Sequence, residues 1–364
     1  MVGIGAAHAR TFVSSAQADA WWKTLVADID HESDPALVQE SMAGPVAFVS
    51  FPFTETGEYE VVVPAIVIGR RGGHAWVTVW NNTPLPDPSY AGPVAPGRLD
   101  FAPGPLDHTG WLEAVRDAVS RIQAGELEKV VIARDELAES DSPVDTRYVL
   151  ARLAESYPQT WTFCVKHLVG ASPELLVAQE GGNLRSRVLA GTIPGDRDPA
   201  SLARVLSDSS KDLAEHEYAV ASVAQALRPL VASLEVPEQP FVLELPNVMH
   251  LATDISGKAI PGSTVLSLAA AIHPSAAVCG TPTDKARALI AGLERMDRGR
   301  YAGPVGWINA AGDGELALAL RCGLLEDNKV RLFAGCGIVA DSDPEAEWAE
   351  SIAKLEPMKQ ALRP

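Results

Sequence analysis

Strand-like runs outnumber helical ones along this chain, and that excess constrains its fold more than any other feature. In the first hundred residues a helix is followed by apolar runs rich in Val, Ile and aromatics at Val46–Phe53, Tyr59–Gly69 and Ala75–Trp80. They read as strands, with Arg70-Arg71-Gly72-Gly73 as a hairpin turn. More strands are predicted over Lys129–Asp135, about Trp161–Lys166, on both sides of Gly181-Gly182, and over 304–309, 315–324 and 329–334. A helix is predicted from Thr109, a possible cap, through Trp111, Leu112, Val115, Val119 and Ile122, ending at Gly125. Others are predicted around 144–156, over Lys211–Ser233, and at the carboxyl end. A doubly wound fold needs strands and helices to alternate, and here they do not, so the expected class is α+β. Seven prolines between Pro84 and Pro105 exclude regular structure there. They mark a long surface connection between a first part, 1–108, and a core, 109–364.

The chain has 364 residues, 47% hydrophobic and 21% charged, as in ordinary globular proteins. No apolar run approaches a membrane span, and the first residues lack a basic start followed by an apolar stretch, so neither a membrane nor a secretory route is expected. Four scattered cysteines without a C-x-x-C pair suit a reducing compartment, and the cytoplasm is the expected location. The net charge of −17 repels polyphosphate backbones and makes nucleic acid a poor partner. An anionic substrate would need a local cationic pocket, so well-placed Lys and Arg residues become informative.

The sharpest local signal is the terminal helix. Ser342-Asp343-Pro344-Glu345 supplies its start, and Glu347, Glu350 and Lys354 then share one face. A second carboxylate stripe, Asp212, Glu215 and His216, opens the Lys211 helix. Each stripe alone suits a solvated face; turned inward together, they could hold a hard dication such as Mg2+. In the 315–324 run, Glu315, Ala317, Ala319 and Arg321 would share one side. There the arginine fork suits a carboxylate, or simply faces solvent. Gly335-Cys336-Gly337 imitates a dinucleotide fingerprint, but too little chain follows for one. Its glycines either let backbone N–H groups approach an anion or form a plain turn. Lys129 and Glu174 stand out only as a potential base and acid; His250, in an apolar stretch, reads by default as a satisfied core histidine.

Taken together, and in this order, the segments resemble the chorismate-binding enzymes, which include isochorismate, salicylate, anthranilate and aminodeoxychorismate synthases. The resemblance runs from Gly110 to the end. It rests on KVVIAR (129–134), GASPELL (170–176), LAGT (189–192), AEHEY (214–218), HLAT (250–253), HPSAAVCG (273–280), GPVGW (303–307), LRCG (320–323), AGCG (334–337) and EWAESIAKL (347–355). It implies a single domain over 1–364 with large antiparallel sheets flanked by helices and one central site. Glu215 and Glu350 match the family's magnesium ligands, with Glu347 beside them. Arg321, Gly335 and Lys354 match positions that hold a substrate carboxylate. Gly191, Thr192, His250 and Ala277 match other pocket positions, and Tyr301 joins them.

Three positions separate the branches. Lys129 stands where isochorismate and salicylate synthases carry the base that activates water, whereas anthranilate synthases carry Gln. Ala190 replaces the lysine nucleophile of aminodeoxychorismate synthases. The HPSAAV run, 273–278, resembles the HPTPAL of isochorismate synthases, and salicylate synthases carry Thr where Ala277 stands. Val278, Cys279 and Cys336 depart from the usual Leu, Ser and Ala. The resemblance thus implies Mg2+-dependent conversion of chorismate to isochorismate, with Lys129 as base and Glu174 as acid, by a monomer that needs no glutaminase. The product could serve siderophore, menaquinone or other synthesis. The rival outcomes are a salicylate synthase, which also eliminates pyruvate, and a silent chorismate-binding subunit.

Overall fold

The computed structural model describes residues 1–30, 32–34, 37, 42–87, 91–194, 199–246 and 248–364. Antiparallel pairing joins its strands into two large sheets and a small one. The ten-stranded sheet runs Val231–Glu235, Val248–Ala259, Asn183–Pro194, Leu175–Glu180, Gly314–Leu318, Pro304–Asn309, Val46–Ser50, Tyr59–Val63, His8–Phe12, with Phe241–Glu244 also on Val248–Ala259. The seven-stranded sheet runs Gly280–Thr281, Lys129–Glu139, Lys329–Ile338, Cys322–Glu326, Leu168–Ser172, Trp161–Val165, with Ala102–Pro103 on Lys129–Glu139. Val2–Ile4, Ile66–Arg71 and His74–Val79 form the third. Helices pack on these sheets, so the class is α+β as the strand excess implied.

Local chemistry explains most boundaries. The Ile66–Arg71/His74–Val79 hairpin pairs Arg71 with His74 across Gly72 and Gly73, at φ +55° and +88°. A two-residue turn of that hand needs positive φ at both positions, which glycine supplies. Pro64 splits the Tyr59–Gly69 run into strands of two different sheets, because proline donates no ladder hydrogen bond. The proline-rich connection is irregular among its described residues until Ala102–Pro103 joins a sheet edge.

Four expectations need correction. Two short strands precede the first helix, Ser15–Ala27. Asp107 rather than Thr109 caps the helix His108–Gln123, its carboxylate accepting from Gly110 N at 2.9 Å. The α-helix that carries Glu215 spans Ser210–Leu227 and stops there, followed by a 3-10 turn, Arg228–Leu230, containing Pro229 and then a strand from Val231. The 315–324 run is two strands, Gly314–Leu318 and Cys322–Glu326, lying in different sheets. Arg321 stands in the break at φ +49°, so its predicted parity with Glu315 does not hold.

One hydrophobic core runs beneath both large sheets, from Ala47, Val49 and Trp22 in the first part to Ile132, Val188, Leu316 and Ile338. Helix His108–Gln123 buries Trp111, Leu112, Val115 and Ile122 against it. Each such large apolar side chain contributes about 1.5–3 kcal/mol, so the helical periodicity seen in the sequence is a packing face. Among the described residues, no helix is long and apolar enough to cross a membrane.

Candidate active site

Both large sheets contribute to one cavity enclosing about 650 Å³ of atom-free space, part of it open to solvent. From the ten-stranded sheet come Ala190, Thr192 and His250, with Glu174 just ahead of Leu175–Glu180. Gly335 and Gly337 face it from Lys329–Ile338, while Glu215 and Lys354 reach it from helices Ser210–Leu227 and Pro344–Ala361. Ala277, Tyr301 and Arg321 close it from connecting segments. Residues scattered over more than half the chain thus meet at one place.

Glu174 is the least solvated acid of the cavity wall, 4% exposed. Burial pushes its carboxyl up to about 8, against weaker opposing pulls from the Leu189 N–H and from Lys129, Lys354 and Arg321. It therefore keeps its proton near neutrality although cations surround it.

The remaining carboxylates each hold a lysine. Lys129, wholly buried at the start of Lys129–Glu139, has its Nζ 3.2 Å from Glu215 Oε1. Lys211 Nζ lies 2.7 Å from Glu347 Oε1, and Lys354 Nζ lies 2.5 Å from Glu350 Oε1. Lys129 does not line the cavity itself; it sits behind Glu215 and Gly337, which do. Gly337 explains how the pair fits: a Cβ there would stand 1.9 Å from Glu215 Oε1 and 3.1 Å from Lys129 Cε. The Gly-Cys-Gly segment is accordingly part of a strand, not a turn, and its glycines admit side chains. The carbonyl of Gly335 also accepts from Lys354 Nζ at 2.9 Å.

Crowded like charges leave their mark. Burial first, then Glu350 and Glu215, push the Glu347 carboxyl up to about 7 against the pull of Lys211. For Glu215 burial works upward too, but Lys129, Lys354 and Lys211 outweigh it and hold the carboxyl below its ordinary range. Donor atoms of Cys336, Glu347 and Glu350 lie within 4.8 Å of one another. The carboxylate oxygens of Glu347 and Glu350 suit a hard dication; Glu215 stands within electrostatic reach of Glu347 but outside that close group, paired with Lys129.

The third feature is a polar chain on the opposite partner of the acids, Arg321. Its Nη2 donates to His250 Nε2 at 2.8 Å, and His250 Nδ1 lies 3.0 Å from Thr192 Oγ1. Burial and Arg321 hold His250 well below its ordinary pKa. The ring is neutral, accepting at Nε2 and donating from Nδ1 to the threonine. Among the described residues Arg321 forms no ion pair, so its remaining donors are free for an anion. Gly191 does not line the cavity. At φ +75° it forms the bulge between Ala190 and Thr192, and a Cβ there would meet Asp212 Cβ at 2.9 Å. It lets the Ser210–Leu227 helix start close to the sheet. Tyr301 stacks on Phe333, ring centroids 5.0 Å apart.

Two participants escaped sequence reasoning. Lys211 precedes the recognised stripe and lies one turn from Glu215, a spacing that could have drawn notice. Arg298, also at the cavity, pairs with Glu294 at a spacing that is common on solvated helices and gave no signal. Asp212 stays within electrostatic reach of Glu215 and Glu350, but its carboxylate accepts from the hydroxyl of Ser209, the helix cap, which in turn accepts from Asp212 N at 3.2 Å.

Comparison with known proteins is consistent with this geometry. The family described as "Chorismate binding enzyme" matches residues 102–363. Isochorismate synthase DhbC of Bacillus subtilis is 41% identical over 71% of this chain and 68% of its own length. Isochorismate synthase MenF of the same organism is 33% identical over 94% of this chain and 79% of its own. The solved structure of the menaquinone-specific isochorismate synthase of Escherichia coli superposes with a TM-score of 0.79 at 27% identity, covering 99% of this chain and 85% of that one.

Proposed function

The chain belongs to the chorismate-binding enzymes, and from that premise we propose that it is an isochorismate synthase, an isomerase that adds water at C2 of chorismate and expels the C4 hydroxyl with the help of Mg2+. The names of its relatives support this reading. One observation carries it: Glu174, with its carboxyl near 8, lines the same cavity as Glu215, which holds the Lys129 amine at 3.2 Å. A proton donor thus lines a substrate-sized space, and a potential proton acceptor stands directly behind its wall.

Glu174 would protonate the departing C4 hydroxyl, a task for which a carboxyl must stay protonated near pH 7. Lys129 would accept the proton of the attacking water through its amine lone pair. Glu215 and Glu350 would hold the metal, with Glu347 acting directly or through water. When bound, Mg2+ supplies positive charge and coordination positions for a substrate carboxylate. Lys129, 3.2 Å from Glu215 Oε1, would stand beside one of the residues that hold the metal. Arg321 and Lys354 would grip the substrate's carboxylate, the arginine through its planar fork. Thr192 and the neutral His250 would keep that fork oriented. Ala190 and Ala277 add no competing nucleophile or hydroxyl. In this reading the whole chain, 1–364, works as one catalytic unit.

The test is incubation with chorismate and Mg2+ followed by chromatography. Isochorismate as the main product is expected. Salicylate in its place would make the chain a lyase, and calorimetric binding of chorismate without turnover would make it a silent subunit. Either outcome rejects the proposal.

A further inference from the structure

Cys336 is a buried thiol in the middle of an acid cluster. It lies between two glycines whose faces turn to the cavity, so its own side chain leaves the strand on the other face, toward helix Pro344–Ala361. There Sγ donates to the Glu347 carbonyl at 3.3 Å. Sγ and one carboxylate oxygen each of Glu347 and Glu350 lie within 4.8 Å of one another. These are two of the three acids assigned above to the metal, so the site has a sulfur on its rim as well as oxygens.

Oxygen and sulfur donors select different ions. Mg2+ demands near-octahedral oxygen ligation and gains nothing from a thiol. Zinc and cadmium take sulfur readily, and zinc closes on sulfur at about 2.3 Å and on carboxylate oxygen at about 2.0–2.2 Å. Three donors mutually within 4.8 Å reach that geometry by side-chain shifts of less than about 1 Å.

We propose that Cys336, with Glu347 and Glu350, forms a mixed sulfur–oxygen site for thiophilic dications that competes with Mg2+ for the same acids. The proposal rests on the metal assignment above. Binding breaks the Sγ–H bond, sends that proton to solvent and forms a sulfur–metal bond, leaving all oxidation states unchanged. Glu350 leaves Lys354 for the incoming ion, and Glu347 leaves Lys211.

The test is direct titration of the full chain, without substrate, with Cd2+, Zn2+ and Mg2+, applied to the wild type, Cys336→Ser and Cys336→Ala. Cadmium should raise a thiolate charge-transfer absorbance in the ultraviolet that saturates at one ion per chain and disappears in both variants. Zinc affinity by calorimetry should fall at least about tenfold in the variants, whereas Mg2+ affinity should move less than about threefold. Retained Mg2+ binding also reports that the variants fold. An absorbance that is missing in the wild type, or that persists in both variants through Cys164, Cys279 or Cys322, overturns the proposal. Unchanged zinc affinity does the same. Cadmium absorbance lost on substitution, in a protein that never binds Mg2+, would uphold the sulfur donor and overturn the magnesium assignment instead.

Discussion

Two glutamates of this protein each pair with a cation four residues on, turned inward: Glu294 with Arg298, in the segment that follows helix Thr283–Leu293, and Glu350 with Lys354, within helix Pro344–Ala361. The first pair is closed by the protein. Arg298 gives Nε to Glu294 Oε2 at 2.9 Å and further donors to the carbonyls of Val278 and Val131, both at 2.8 Å. Glu294 Oε1 also accepts from Ala133 N at 2.7 Å. The second pair has one backbone partner, Gly335, and otherwise opens on the cavity and the other acids. Identical spacing thus yields a brace that clamps the Lys129–Glu139 strand in one place and an unfinished polar site in the other. What distinguishes them is whether backbone groups finish the hydrogen bonding.

If that distinction holds, damage at the open cluster should cost turnover and damage at the closed pair should cost stability. The largest effect is expected at the open end. Lys129→Ala and Glu174→Gln should each lower kcat/KM for chorismate by about 10²–10⁴-fold, the usual contribution of a positioned acid or base. Their unfolding transitions should remain cooperative. Near-normal isochorismate formation by Lys129→Ala would remove that residue from the chemistry. At the closed end, Glu294→Gln leaves Arg298 buried without its counter-charge, which costs about 3–5 kcal/mol. A urea midpoint unchanged from wild type would show the brace to be dispensable and dissolve the contrast.

A smaller, pH-dependent effect separates Glu174 from ordinary acids. Its folded carboxyl, near 8, lies above the value of 4.5 for an exposed glutamate. Between those values the folded chain binds the extra proton, so stability declines as pH rises across the interval and levels off above it. Glu174→Gln has no such proton. Its stability relative to wild type should therefore grow from about pH 5 to about pH 8, and then stay flat. In the wild type, kcat/KM should also fall as pH rises past about 8. A stability difference independent of pH would mean that the carboxyl is not buried in its acid form.

The local halves of the site could be read from the sequence; their meeting could not. Periodicity placed Glu347, Glu350 and Lys354 on one helix face and Glu215 on another, because those spacings belong to single helices. Which way each face turns depends on the sheets behind it, and helical spacing carries no record of that. The 315–324 run shows the same limit. Alternating small and apolar residues satisfied a single strand, yet Arg321 at φ +49° hands the chain from one sheet to the other. Lys129 and Gly337 lie far apart in the sequence. That the glycine's missing Cβ makes room for Glu215 and Lys129 becomes visible only once the strands are paired.

The smallest expected effect comes from a pair that is neither closed nor functional. Arg187 and Asp254 face each other across neighbouring strands, with Nε to Oδ1 at 2.7 Å and Nη2 to Oδ2 at 2.8 Å. The geometry is a good two-point fork, but solvent reaches both groups, with 27% and 52% of their side chains exposed. Exposed pairs contribute about 0.2–1 kcal/mol, so Asp254→Asn should shift the unfolding midpoint only slightly. The same strands carry Thr192 and His250 farther along, and a one-residue slip would turn both away from the cavity. Their register is fixed by eleven backbone pairs and by the Gly191 bulge, not by this fork. Turnover of Asp254→Asn should therefore equal that of wild type. A loss of activity without a matching loss of stability would mean that the ion pair holds the register, and that short hydrogen bonds at the surface are not by themselves a sign of a merely decorative pair.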